Sequence, residues 1–199
     1  MRRDHLPNVF YPEQLKRLFR VVTDAKSGML YAMAFFHGLR SAEVRRLKVR
    51  NVNLEEGVIK IERGKGDKDR YITIPPCMIP IIKKWLEYIG DSDYFFPTRS
   101  IHSVEYDRAT MQKRFNSDLK KSGLLVDEAK DTLGRQRHVY RFHTLRHSYA
   151  SYLISNGVDV FTVMKLMGHS RIETTQIYAH ISQTDAKRQL EKVFGSEKK

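Results

Sequence analysis

Apolar residues recur along most of this chain with the 3.6-residue period of helices, and only in one stretch with the two-residue period of strands. Over 12–22, Leu15, Leu18, Phe19 and Val22 form one stripe and Pro12 suits a first turn, which predicts a helix. Residues 28–38 are apolar nearly all round, which predicts a buried helix ending at Gly38. Ser41 can cap a short helix carrying Val44 and Leu47. Ile59 and Ile61, then Ile72 and Ile74, alternate with polar neighbours. They predict a hairpin over 58–62 and 70–74, turned by the run Gly64, Lys65, Gly66, Asp67, Lys68. Residues 79–89 return to helix, with Ile82, Trp85, Leu86 and Ile89 on one face.

The stretch 98–141 is polar and strongly basic, and predicts one helix near 108–121 and a loop or second small hairpin near 126–140. From Thr144 to Ser155, Leu145, Tyr149, Tyr152 and Leu153 make a helical stripe, stopped by Asn156 and Gly157. Asp159 can cap the next helix, with Val160, Val163, Met164 and Met167 turned inward. Ser170 and Glu173 have capping-box spacing, so another helix is expected to start there and carry Tyr178. A short amphipathic helix over 184–194 closes the pattern. With no repeats, low-complexity tracts or interdomain linker, the expected fold is mainly α with a small antiparallel β-hairpin or sheet (α+β). It forms one domain over 1–199, with its core in 10–183.

Composition narrows the function. The 199 residues suffice for one sizeable core, and 41% are hydrophobic, an ordinary globular share. The longest apolar run, Met29 to Phe36, is too short to span a bilayer, and no signal-peptide pattern follows the start, so no membrane partner is expected. A single cysteine, Cys77, makes no internal disulfide and no cysteine metal cluster. It reads as a small apolar filler and points to a cytoplasmic protein. The charge is more telling: Lys plus Arg exceed Asp plus Glu by 36 − 23 = 13. A surface this basic attracts polyanions. Acidic lipid is the rival to nucleic acid, but the basic residues are spread along the chain rather than gathered on an amphipathic helix.

Candidate chemistry lies in five short motifs. His143 and Arg146 stand three apart at the opening of a helix, in the run His143, Thr144, Leu145, Arg146, His147. Gly168 and His169 end another helix, Arg40 follows Gly38 and Leu39 at a helix end, and Lys65 sits between two glycines at a hairpin tip. Two arginines, a lysine and two histidines without a carboxylate cluster suit a phosphate rather than a metal, because the guanidinium fork matches phosphate oxygens. Singly, none of these residues decides anything. Arg40 at a helix terminus reads as a dipole-compensating surface residue, Lys65 as a solvated turn residue, and His147 as a hydrogen-bonded supporting histidine. Tyr149 and Tyr152 read as core, and Tyr178 alone reads as packing.

Order and spacing change that reading. The series Gly38-Leu39-Arg40 with Glu43, Gly64-Lys65-Gly66 with Lys68 and Arg70, His143 with Arg146 and His147, Gly168-His169, and Tyr178 nine residues on resembles the tyrosine recombinases. That family includes the phage integrases and the Xer recombinases, and the resemblance runs from about residue 10 to 185. It implies that Arg40, Lys65, His143, Arg146 and His169 surround one scissile phosphate of double-stranded DNA and that Tyr178 attacks it, giving a 3′-phosphotyrosine. By the same resemblance His143 takes the phenol proton, Lys65 protonates the departing 5′-oxygen, and neither metal nor ATP is required. Glu43 then orients a catalytic arginine or histidine, with His147 beside it, while Lys68 and Arg70 contact the DNA backbone. The basic region 99–141 is the candidate for groove contacts. Family members carry an N-terminal core-binding domain, for which the resemblance leaves no room here. In the family the C-terminal tail docks on a neighbouring protomer, so a homotetramer on DNA through 184–194 and a monomer without DNA are expected. The competing readings are a type IB-like topoisomerase, a DNA-binding regulator without catalysis and, on charge alone, an RNA-binding protein.

Overall fold

Helix boundaries follow the caps more closely than the apolar runs. In a computed structural model that describes residues 7–62, 69–98, 106–128, 130, 134 and 136–168, α1 spans Pro12–Val21, with Pro12 in its first turn and Leu15 and Leu18 buried. The next helix, α2, runs Ala25–Phe36 rather than from residue 28, because Asp24 accepts the Ser27 N–H and closes the N-terminus one turn earlier. A short α3 spans Ser41–Arg46. Its N-cap is Arg40 and not Ser41: the Glu43 carboxylate accepts the Arg40 backbone N–H at 2.7 Å, so the capping comes from inside the helix.

Three strands follow: β1 (Val52–Asn53), β2 (Val58–Ile61) and β3 (Arg70–Thr73) form one antiparallel sheet in sequence order. The β2–β3 hairpin is the one its alternation predicts, with Ile59 opposite Ile72 and both buried. The two-residue β1 carries too little pattern to be read in advance. From within α4 (Ile79–Ile89), Trp85 donates its indole N–H to the carbonyl of Phe95, beyond the helix, at 2.8 Å. A cap from Asp107 opens α5 (Arg108–Lys121), and β4 (Asp127–Glu128) pairs with β5 (Arg137–His138) as the second small hairpin. Finally come α6 (Thr144–Ser155) and α7 (Val160–Met167), the latter capped by Asp159 as expected.

The core is built around α2, whose residues 29–35 are all buried. It packs on α3, α5 and α6, while α1 lies on α5 and α7 on α6. Two packing expectations are corrected. Tyr149 is buried, but Tyr152 is 47% exposed, because it turns past the edge of the α2–α6 contact. Cys77 is exposed rather than a filler: it lies in a 3₁₀ turn that directs Met78 into the core instead. The helix expected from Ser170, the tail over 184–194, and Lys65, Lys68, His169 and Tyr178 lie outside the described residues. Among the described residues, no helix is long and apolar enough to cross a membrane.

Candidate active site

Arg40 and Glu43 from the start of α3, Arg70 from β3 and Arg146 from α6 come from three places in the chain and meet around one carboxylate. The turn between α2 and α3 begins at Gly38, whose φ of 60° and place against the Tyr149 ring leave no room for a side chain; an added Cβ would stand 2.5 Å from that ring. This close approach puts the Gly38 carbonyl onto α6, where it accepts a hydrogen bond from Arg146 Nη1. Arg146 Nη2 donates to the Met167 carbonyl at 2.8 Å. Arg40 Nη2 reaches the next carbonyl, Gly168, at 3.4 Å. Two guanidiniums are therefore held at successive carbonyls where α7 ends, the negative end of that helix.

Glu43 joins them. Its Oε1 accepts from Arg40 Nη1 at 2.9 Å and from Arg70 Nη1 at 2.6 Å. Its Oε2 accepts from Arg70 Nη2 at 2.9 Å and lies 3.9 Å from Arg146 Nη1. Burial works to raise the Glu43 carboxyl, but hydrogen bonds and charge from Arg70 and Arg40 overcome it and hold the group at about 2. The carboxylate is thus ionised at any ordinary pH. Among the described residues, three guanidiniums against one carboxylate leave 3 − 1 = 2 positive charges around Glu43. Arg146 is 1% exposed, a depth at which an unpaired charge would be very costly. Carbonyl oxygens and the nearby carboxylate are what permit it.

One turn before Arg146, His143 stands exposed at the start of α6. The turn that presents it is closed by the Arg141 N–H donating to Thr144 Oγ1 at 3.0 Å. The His143 and His147 rings meet edge to face, with centroids 4.7 Å apart. Burial, with His143 and Arg146 beside it, pushes His147 down to about 4, so its ring is neutral near pH 7. Two other tyrosines in this half of the molecule are poor nucleophile candidates. Burial raises the phenols of both Tyr31 and Tyr149, and Tyr31 additionally donates to Asp118 Oδ2 at 2.8 Å.

The profile of the phage integrase family matches residues 8–185. The chain belongs to the phage integrase family. Among its relatives, the tyrosine recombinase XerA of Pyrococcus furiosus is 29% identical over 191 residues, covering 94% of this chain and 62% of that protein. The tyrosine recombinase XerC of Lactobacillus delbrueckii subsp. bulgaricus is 30% identical over 190 residues, covering 89% and 59%. A crystal structure of XerA recombinase superposes with a TM-score of 0.73 at 26% identity, covering 96% of this chain and 65% of that one. The XerH site-specific recombinase bound to difH substrate, a pre-cleavage complex, gives 0.69 at 25% identity, covering 91% and 52%. The chain thus spans about three fifths of the length of the curated relatives it matches.

Within this phage integrase family member, the structure brings together Arg40, Glu43 and Arg146, with His143 and His147 at the same end of α6. Arg70, expected from the sequence at the DNA backbone, has both terminal nitrogens on Glu43, and its side chain is only 16% exposed. The signal was present in the strand period. Ile72 and Ile74 point inward, and Arg70 lies on the same face two residues earlier.

Proposed function

We propose that this chain is the catalytic domain of a site-specific DNA recombinase that cuts and rejoins strands through a 3′-phosphotyrosine at Tyr178. The observation that carries the reading is the pair Arg40 and Arg146, held at adjacent carbonyls around Glu43 with two positive charges in excess. A phosphodiester brings one negative charge, and its pentacoordinate transition state gathers a second on the non-bridging oxygens. A preorganised pair of guanidiniums therefore favours the transition state over the ground state.

In the proposed step the Tyr178 phenolate attacks phosphorus, the bond to the 5′-oxygen breaks, and the 3′-phosphate becomes esterified to the tyrosine. An unperturbed phenol titrates near about 10, so the proton must be taken as attack proceeds. His143, exposed at the head of α6, is assigned that part, a contribution of ~10²–10⁴ in rate. Lys65 protonates the departing 5′-oxygen and His169 hydrogen-bonds the phosphate, which is consistent with His169 following Gly168 directly at the end of α7. A second 5′-hydroxyl then attacks the phosphotyrosine. One phosphodiester replaces another, so the scheme requires neither ATP nor metal. The partner is double-stranded DNA in the cytoplasm, with protomers assembling as a tetramer on it through 184–194 and separating to monomers without it. Lys68 remains assigned to the DNA backbone and 99–141 to the grooves.

The test is a denaturing gel of the protein incubated with nicked suicide duplexes in EDTA. The expected result is a covalent adduct on the 3′ side that Tyr178→Phe abolishes. An adduct that survives in Tyr178→Phe means another residue is the nucleophile. No adduct, together with no DNA binding at low salt, overturns the recombinase reading.

A further inference from the structure

We infer that Arg70 is a positioning residue of this site: through its bidentate pair with Glu43 it sets where Arg40 and Arg146 stand, and it does not contact DNA. The inference rests on the recombinase reading and adds a residue and a role to it.

Glu43 has two oxygens and four close donors. Arg70 spans both, with Nη1 on Oε1 at 2.6 Å and Nη2 on Oε2 at 2.9 Å. Arg40 takes one oxygen with its side chain, at 2.9 Å, and the other with its backbone N–H, at 2.7 Å. A planar fork on a planar carboxylate fixes the plane of that carboxylate. The two bonds from Arg40 come from separate groups, its side chain and its backbone N–H, and do not form such a planar fork. Once the carboxylate is fixed, the directions in which Arg40 Nη1 and Arg146 Nη1 meet it are fixed as well.

A second contact ties Arg70 to the same two arginines from the other side. A Cβ on Gly168 would stand 2.5 Å from Arg70 Nε and 2.6 Å from its Cδ, so the side chain lies flat against the glycine that ends α7. The Gly168 carbonyl accepts from Arg40, and the preceding Met167 carbonyl accepts from Arg146. Arg70 therefore supports both the carboxylate and the helix end between which the two guanidiniums are suspended. It also neutralises Glu43. Without it, one carboxylate faces two arginines, the excess falls from two positive charges to one, and the carboxylate pulls Arg40 and Arg146 toward itself and away from an incoming phosphate. The pair occupies one N–H on each terminal nitrogen, Nε is buried and the side chain is 16% exposed, so little of the guanidinium is left for a DNA contact.

Lysine keeps the charge at this position but not the fork, so Arg70→Lys distinguishes orientation from charge alone. The rate of adduct formation at saturating duplex, and the affinity and its salt dependence measured in a Tyr178→Phe background, are compared for wild type, Arg70→Met, Arg70→Lys, Glu43→Gln and the double variant Glu43→Gln/Arg70→Met. The duplexes are nicked suicide substrates selected by binding to Tyr178→Phe, and urea midpoints verify folding. Arg70→Gln replaces Arg70→Met if the latter does not fold. The expected result is a saturated rate lowered about 10–100-fold in Arg70→Met, by analogy with the loss of a partner that orients a metal ligand. Arg70→Lys is expected to recover only a small part of the loss. Affinity and salt slope should stay within experimental scatter of wild type, and the double variant should be no slower than Glu43→Gln. Four outcomes overturn the inference while leaving the recombinase reading intact, provided that wild type forms the adduct. These are a wild-type rate in Arg70→Met, full recovery by lysine, additive losses in the double variant, or an unchanged saturated rate with weaker binding and a salt slope reduced by about one phosphate contact. No adduct from wild type, together with no DNA binding at low salt, sinks the recombinase reading itself, and the inference with it.

Discussion

Gly38 joins the core to the candidate active site. Its positive φ brings the chain against Tyr149 and offers its carbonyl to Arg146. Gly38→Ala should therefore destabilise the protein by about 2–4 kcal/mol, from left-handed backbone strain and overpacking together, as read from urea unfolding. The histidine before it makes a separate prediction. His37 is fully buried, neither ring nitrogen has a hydrogen-bond partner among the described residues, and burial pushes it from 6.5 down to about 4. Above pH 6.5 neither the folded nor the unfolded state protonates it, and it contributes no pH dependence. Between 6.5 and 4 the unfolded state binds the extra proton, so stability falls as pH falls; below 4 both states hold it and the loss is complete. The loss approaches about 3 kcal/mol for one such histidine, and His147 titrates in the same window and direction. Glu43 acts lower. Its stabilisation is fully present above about 4.5 and is lost as pH falls toward about 2. Urea titrations between pH 6.5 and 5 thus isolate the histidines, and His37→Leu should flatten part of the slope. An unchanged slope in that variant would mean that His37 is charged in the folded state.

At the scale of elements, caps decide where helices begin and packing decides what they do. The apolar run alone starts α2 at residue 28, whereas Asp24 starts it at Ala25, accepting from the Ser27 N–H and hydroxyl and meeting Arg114 of α5. Asp24→Ala should cost about 1–2 kcal/mol in urea, the upper part of the range for an N-cap because the α5 contact is lost with it. A loss below a few tenths would show that the helix frays back to residue 28 without penalty. The short helix α7 has a larger consequence than its eight residues suggest. Its last carbonyls hold both Arg40 and Arg146, so the orientation of α7 on α6 becomes the orientation of the two guanidiniums.

For the whole molecule, the excess of thirteen positive charges predicts strongly salt-dependent DNA binding. If six to ten phosphates are neutralised, affinity falls by about 10³–10⁵ between 50 and 200 mM salt. Fluorescence anisotropy on Tyr178→Phe measures this without cleavage, and a salt-independent affinity would argue against backbone contacts altogether. The same charge makes the buried cluster unusual. Among the described residues Arg146 is the one buried lysine or arginine, set where the α2–α3 turn and the end of α7 meet α6, and there carbonyl dipoles and one carboxylate replace water.

The sequence by itself determined the mainly helical fold, the β2–β3 hairpin and the family, because each is written in local periodicity or in motif order. Leu15 and Leu18, Ile59 and Ile72, and the Asp159 cap could be read without any knowledge of what lies across from them. It did not determine which side of a helix would go uncovered, so Tyr152 was read as core and is exposed. Nor did it determine what Arg70 touches. The alternation of β3 turned that residue inward, but only the approach of α3 and the end of α7, 27 residues before it in sequence at Glu43 and far beyond it at Gly168, supplied the carboxylate and the bare glycine against which it lies. Period and cap are properties of neighbours along the chain. The partner of a buried charge is a property of the packing, and this active-site candidate is defined by such partners.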